Sequence, residues 1–178
     1  TETAWRQGSK YNVPRIVFVN KMDRPDSNFF NVVEKVKTRL GSNAVPIQIP
    51  IGAAETFQGI IDLVENKAYF YKNDLGTDIE VTDIPAEYQA EAAKYRNALI
   101  EVAAEQDDAL LEKFFSGEEF SDAQLTKGVR IGVRNGEIVP VFSGCATMSV
   151  GIERLMDLII KYFPTYGEAG TLVVNDLK

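Results

Sequence analysis

Arg15-Ile16-Val17-Phe18-Val19-Asn20-Lys21-Met22-Asp23 is the stretch on which the fold turns. Ile16 to Val19 is an unbroken apolar run of the kind found in parallel strands covered on both faces, and Asn20 ends it. Upstream, residues 1–12 read as the end of a helix. Downstream, Asp26, Ser27 and Asn28 are N-cap candidates for a helix whose Phe29, Val32, Val33, Val36 and Leu40 recur at three- and four-residue intervals, with Gly41 as its stop.

After Leu40 the alternation of strand and helix pauses. Val45 to Ile49, Gly59 to Val64, Lys67 to Tyr71 and Ile79 to Val81 read as strands of a small, mostly antiparallel sheet. Pro85 opens a helix with Tyr88, Ala92, Tyr95, Leu99 and Val102 as its apolar stripe. A short helix follows with Leu110, Leu111, Phe114 and Phe115, and a third begins at the capping box Ser121 to Gln124 and closes at Asn135-Gly136. Glu137 to Phe142 returns to a strand, and Val150 to Phe163 to an amphipathic helix expected to bury Ile152, Leu155, Met156, Ile159 and Ile160. The expectation is an α/β fold in two parts: residues 1–44 and 137–178 build a parallel sheet with its helices, and residues 45–136 form an inserted α+β subdomain.

With 178 residues, 45% of them hydrophobic, the chain has enough apolar material for a core. Nineteen basic against 26 acidic residues give a net charge of -7, which argues against sequence-specific nucleic-acid binding and points to a basic partner. The single cysteine, Cys145, excludes an internal disulfide and fits a reducing, cytoplasmic setting. No apolar run approaches the ~18 residues of a membrane span, so no membrane partner is expected. A chain opening at Thr1 rather than at methionine reads as part of a longer protein. The lack of histidine removes the commonest general base and most zinc sites, and neither a catalytic residue nor a metal ligand is assigned.

Asn20-Lys21-Met22-Asp23 stands at the carboxyl end of a buried strand, where ligands bind in open α/β sheets. A guanine base presents a ring N–H and an exocyclic amine side by side, and a carboxylate such as Asp23 can accept both, a pairing adenine cannot offer. The Asn20 amide suits the ring acceptor and can tie neighbouring loops, the Lys21 stem can cover a ring face, and Met22 points into the core. The bland alternative is a turn that caps the next helix. A second loop weighs against it: Ser143-Gly144-Cys145-Ala146 also follows a strand and precedes a helix, and its small residues let a backbone N–H, that of Ala146, approach the guanine carbonyl. The sequence contains no GxxxxGK[ST] phosphate loop and no Asp-x-x-Gly, so this chain alone is expected to bind GTP or GDP weakly and not to hydrolyse it.

These motifs resemble the GTP-binding domain of the elongation factor G family. The likeness rests on Glu2-Thr3-Ala4-Trp5-Arg6-Gln7, Asn20 to Asp23, Lys37 to Gly41, Pro46 to Gly52, Phe57 to Leu63 and the helix from Gly151 to Pro164. It implies a P-loop GTPase that moves tRNA and mRNA on the ribosome, uses GTP with magnesium, and carries an inserted subdomain between its two guanine loops. Two departures stand out: Gly144-Cys145-Ala146 replaces the family's Gly-Ser-Ala, and Pro25-Asp26-Ser27 follows Arg24 where the family has Gly-Ala. A thiol is a weaker donor than a hydroxyl, so a thiol orienting Asp23 would lower guanine affinity slightly. A ribosome-protection GTPase and a non-hydrolysing binding module remain as rivals.

Residues 83–122 hold 11 acidic and three basic side chains, a local net of -8. Helical spacing places Glu87, Glu91, Glu101, Glu105 and Asp108 on one face, which from the residues alone is an ordinary solvated surface. The family resemblance implies more: Glu101, Glu105 and Asp108 match positions that contact the basic C-terminal domain of the ribosomal stalk protein.

Overall fold

The computed structural model describes residues 2–73, 75–165 and 167–168. Helix α1 (Glu2–Lys10) leads into strand β1 (Val17–Val19) and helix α2 (Phe29–Leu40). Asn28 caps α2 by accepting the Asn31 N–H at 2.9 Å, and the helix buries Phe29 and Val33. Strands β2 (Ala44–Pro46), β3 (Gln48–Ile51), β4 (Gly59–Asp62), β5 (Lys67–Tyr71) and β6 (Ile79–Thr82) follow. Helices α3 (Ala86–Ala104), α4 (Asp108–Phe115) and α5 (Asp122–Asn135) precede strand β7 (Val139–Ser143) and helix α6 (Ile152–Tyr162). The expected capping box at Ser121 and Gln124 opens α5. No described helix is long and apolar enough to cross a membrane.

Two sheets result. The parallel one has the order β1-β7-β2, and the antiparallel one is a meander, β3-β4-β5-β6. The run expected as one antiparallel strand from Val45 to Ile49 is in fact shared between them. Ala44–Pro46 pairs parallel with β7, and only from Gln48 does the chain pair with β4. Ile47 is the corner, donating to the Val141 carbonyl and accepting from the Leu63 N–H, each at 3.0 Å. Apolar alternation reveals that a residue is in a strand but not which neighbour it pairs with, so the change of sheet at Ile47 left no trace in the pattern. The antiparallel part therefore begins at Gln48 rather than at 45.

Both sheets share one core. Ile47, Ile49, Ile61 and Leu63 join Val141 and Phe142 in a single buried cluster that also takes Leu99 from α3 and Val129 from α5. A buried ion cluster adds a polar link to α6. Asp62, fully buried, accepts the N–H groups of Val64 and Glu65 through Oδ1 and the Arg154 guanidinium at 2.6 Å through Oδ2. Arg154 also reaches Glu65 at 2.9 Å and lies 4.4 Å above the Tyr69 ring. Burial alone would raise the Glu65 pKa; hydrogen bonds from Tyr69 and Arg154 and the guanidinium charge outweigh it and hold the carboxyl below its ordinary value.

Two burial expectations fail. On α6, Leu158 and Tyr162 are buried, Ile152 and Leu155 are half-buried, and Met156 and Ile160 are 62% and 78% exposed, with Ile159 exposed as well. This helix is apolar around more than half its circumference, so periodicity alone could not choose a face. The face beside Arg154 and α5 is the one that packs. On β1, which lies at the edge of the described parallel sheet, Val17 and Phe18 are only partly covered, so the strand is not enclosed on both faces.

Candidate functional site

Strands β1 and β7 run parallel in a register that sets Val19 beside Ser143, so the loops after them leave the same end of the sheet side by side. The Gly144 N–H donates to the Val19 carbonyl at 3.0 Å, and the Met22 N–H donates to the Gly144 carbonyl at 3.2 Å. Gly144 tolerates no side chain, because a Cβ there would lie 2.4 Å from the Val150 carbonyl oxygen and 2.7 Å from the Phe18 ring. The loops are thus joined by backbone before any side chain is counted.

Side chains reinforce the junction. Asn20 Oδ1 accepts both the Lys21 N–H at 2.8 Å and the Ala146 N–H at 3.0 Å, which bridges the two loops. The Cys145 thiol donates to Asp23 Oδ1 at 3.1 Å and lies equally close to Thr147 Oγ1. No described residue bonds Asp23 Oδ2 or Asn20 Nδ2. Lys21 has φ of 64°, a left-handed backbone that a β-carbon disfavours, and such strain persists only where the surroundings enforce it.

The candidate residues divide by exposure. Asn20, Lys21 and Ala146 are exposed and Asp23 is half-buried, so these four are open to a ligand. Met22, Ser143, Gly144 and Cys145 are buried. The Met22 and Ser143 side chains are therefore turned away from the open surface of the loops. The donor expected to meet a base carbonyl, the Ala146 N–H, is engaged by Asn20.

Sequence reasoning overlooked two groups here. Ser27 Oγ donates to the Met22 carbonyl at 2.9 Å, and so does the Ala54 N–H, also at 2.9 Å, from the turn after β3. Gly52 was the one available signal for that turn, since the alanines after it favour no turn.

The acidic candidates lie elsewhere and do not share one helix. Glu101 is in the last turn of α3, Glu105 is its C-cap, and Asp108 is the first residue of α4. Asp107 makes the break by accepting the Leu110 N–H as N-cap of α4. It also pairs with Lys127 at 2.6 Å. All three candidates are exposed, and none forms an ion pair among the described residues. The single face expected for Glu87 to Asp108 is thus interrupted, because a short polar side chain that can cap its own backbone ends the helix at that point.

A crystal structure of a protein from Thermus thermophilus superposes on the chain with a TM-score of 0.81 and 30% sequence identity, over 93% of this chain and 24% of that one. The chain thus spans about a quarter of that relative's length. Residues 1–165 match the family described as the elongation factor Tu GTP binding domain. With two parallel strands delivering an Asn-Lys-Met-Asp loop and a Ser-Gly-Cys-Ala loop to one edge, and with nearly the whole chain matched, this protein belongs to the elongation factor Tu GTP-binding domain family.

Proposed function

We propose that the chain is the guanine-recognising half of an elongation-factor-G-type translational GTPase, which promotes tRNA and mRNA movement on the ribosome in the cytoplasm. In this reading residues 45–136 are an inserted subdomain between the two halves of the GTP-binding domain. Their acidic residues, Glu101, Glu105 and Asp108 among them, dock the basic C-terminal domain of the ribosomal stalk protein. The observation that carries the guanine reading is the junction of the loops, where Asn20 reaches Ala146 and Cys145 reaches Asp23.

That junction sets donors and acceptors in an order suited to guanine. Asp23, steadied through Oδ1 by the Cys145 thiol, keeps Oδ2 and its remaining lone pairs for the ring N–H and exocyclic amine. Asn20 Nδ2 can donate to the ring nitrogen on the opposite edge, the Ala146 N–H to the base carbonyl, and the Lys21 stem can cover a face. Residues that would hold magnesium or the phosphates are not found in this sequence, so no step of hydrolysis is assigned to it.

Titration of the isotope-labelled chain with millimolar GDP or ADP, followed by amide NMR, tests the reading. The expected result is weak binding in which GDP, and not ADP, shifts the amides of Asn20 to Asp23 and Gly144 to Thr147, with no nucleotide turnover. An equal response to ADP would refute guanine selectivity. Submicromolar GDP affinity would refute the view that phosphate contacts are missing.

A further inference from the structure

Among the described residues, five non-glycine positions have a left-handed backbone, and two of them are asparagines, which adopt it readily. The other three, Lys21, Ala54 and Ser149, all lie in or against the base loops. Lys21 and Ser149 belong to the loops themselves. Ala54 comes from the far side, in the turn that follows β3, and has no evident reason to be strained unless the turn must deliver something.

What it delivers is one N–H group. Gly52, at φ of 77°, folds the chain back so tightly that a Cβ on it would lie 2.0 Å from the Thr56 carbonyl oxygen. Thr56 Oγ1 closes the turn, accepting the Ala53 N–H at 3.1 Å and donating to the Ala53 carbonyl at 2.7 Å. The closed turn aims the Ala54 N–H at the Met22 carbonyl, 2.9 Å away, where it joins the Ser27 hydroxyl as the second donor and the only one from outside the base loop among the described residues. On its other side Met22 donates its own N–H to Gly144. With its side chain buried as well, Met22 is held from three directions, and the next residue along is Asp23. A second contact steadies the other loop: a Cβ on Gly76, between β5 and β6, would lie 2.7 Å from the Ser149 carbonyl oxygen, and the Tyr71 hydroxyl donates to Glu153 at 2.5 Å.

We infer that the Gly52–Thr56 turn is a specificity-determining positioning element of the guanine site. By holding the Met22 carbonyl, it fixes the angle at which the Asp23 carboxylate meets a base edge. The inference rests on the guanine reading above and extends it to a segment that touches no ligand. Two donors side by side demand a fixed carboxylate, whereas a single donor tolerates a mobile one, because only the bidentate pair depends on orientation. Loosening the turn should therefore cost a guanine base more than hypoxanthine, which lacks the exocyclic amine.

Thr56→Val tests this with little risk to the fold, because Thr56 is exposed and valine keeps its shape while removing the hydroxyl. Amide exchange at Ala54 and Met22 should quicken roughly 3- to 10-fold, the worth of one hydrogen bond. Protection at Ile60 and Ile61 in β4 should not change. The preference for guanosine over inosine diphosphate should shrink by a similar factor, and Thr56→Ser should restore both readouts. Unchanged exchange at Met22, or equal weakening of both nucleotides, would overturn the inference. A wild-type chain with no preference for guanosine over adenosine diphosphate would instead overturn the guanine reading, with the tether still measured by exchange.

Discussion

The base loops and the acidic ends of α3 and α4 are both polar surfaces, and they are built in opposite ways. In the first, two polar side chains are tied to the neighbouring loop, Asn20 to Ala146 and Asp23 to Cys145, and between them the backbone of buried Met22 is bonded to Gly144 and Ala54. At the acidic ends Glu101, Glu105 and Asp108 extend into solvent with no ion-pair partner among the described residues. The first arrangement holds donors and acceptors at set distances, which suits discrimination between small, rigid ligands. The second offers charge without fixed geometry, which suits rapid, salt-sensitive encounter with a macromolecule. Substitutions should expose the contrast: large and specific effects at the loops, small and unspecific ones at the acidic ends.

The largest effect is expected from Asp23→Asn, measured, on the proposed reading, in a full-length GTPase that contains this chain. An amide at this position can donate to the carbonyl that xanthine carries in place of guanine's exocyclic amine, so the preference should turn from GTP to XTP. Buried polar pairs reject mismatched partners by on the order of 10⁴-fold, and the change in the GTP:XTP affinity ratio should approach that scale. An unchanged ratio would remove Asp23 from the base site and leave the loop junction as a structural feature only.

Next in size is a change of stability at the link between the two sheets and α6. Arg154→Leu removes the partner of fully buried Asp62 and leaves its Oδ2 without a counter-charge. Breaking a buried pair from one side costs about 3–5 kcal/mol, whereas replacing both members costs much less. Chemical denaturation should therefore show a severe loss for the single variant and partial recovery for Arg154→Leu with Asp62→Asn. If the double variant is no better than the single one, the loss comes from the other contacts of Arg154, with Glu65 and the Tyr69 ring, rather than from an unpaired Asp62.

The two regions also differ in how far they could be read from sequence. The loops were legible because their chemistry is local: a short run of fixed residue types follows each strand, and parallel pairing brings the strand ends together. What escaped were contacts made across the chain, such as Ala54 to Met22, since a backbone N–H carries no residue-type signature. The α6 face was misjudged for a related reason. Met156, Ile159 and Ile160 share the apolar period, but which of two apolar faces packs is decided by α5 and by Arg154, not by the helix itself. The acidic ends were misread as one face because Asp107 was counted as one more charge, when its short carboxylate ends one helix run and begins the next.

That break sharpens the smallest expected effect. Glu101 and Glu105 stand at the C-terminus of α3, where the helix dipole disfavours anions and where the last turn holds no basic residue. Asp108 stands in the first turn of α4, where the dipole favours it. Charge reversal should therefore act with opposite signs on stability. Glu101→Lys and Glu105→Lys should each raise the unfolding midpoint slightly, Asp108→Lys should lower it, and the triple variant should end no lower than the wild type. Each term is about 0.3–1 kcal/mol at low salt and fades as salt is added. Two anions that oppose their own helix dipole contribute nothing to the fold through it, which is compatible with the proposed docking role. If the proposed stalk contact is right, the triple variant should lose most of its binding to the purified basic domain at low salt, chiefly through slower association, while thermal unfolding shows a fold as stable as before. Equal binding by the two chains would return these residues to an ordinary solvated surface. A triple variant that is markedly destabilised would show instead that the carboxylates have structural partners, and the contrast between the two regions would no longer hold.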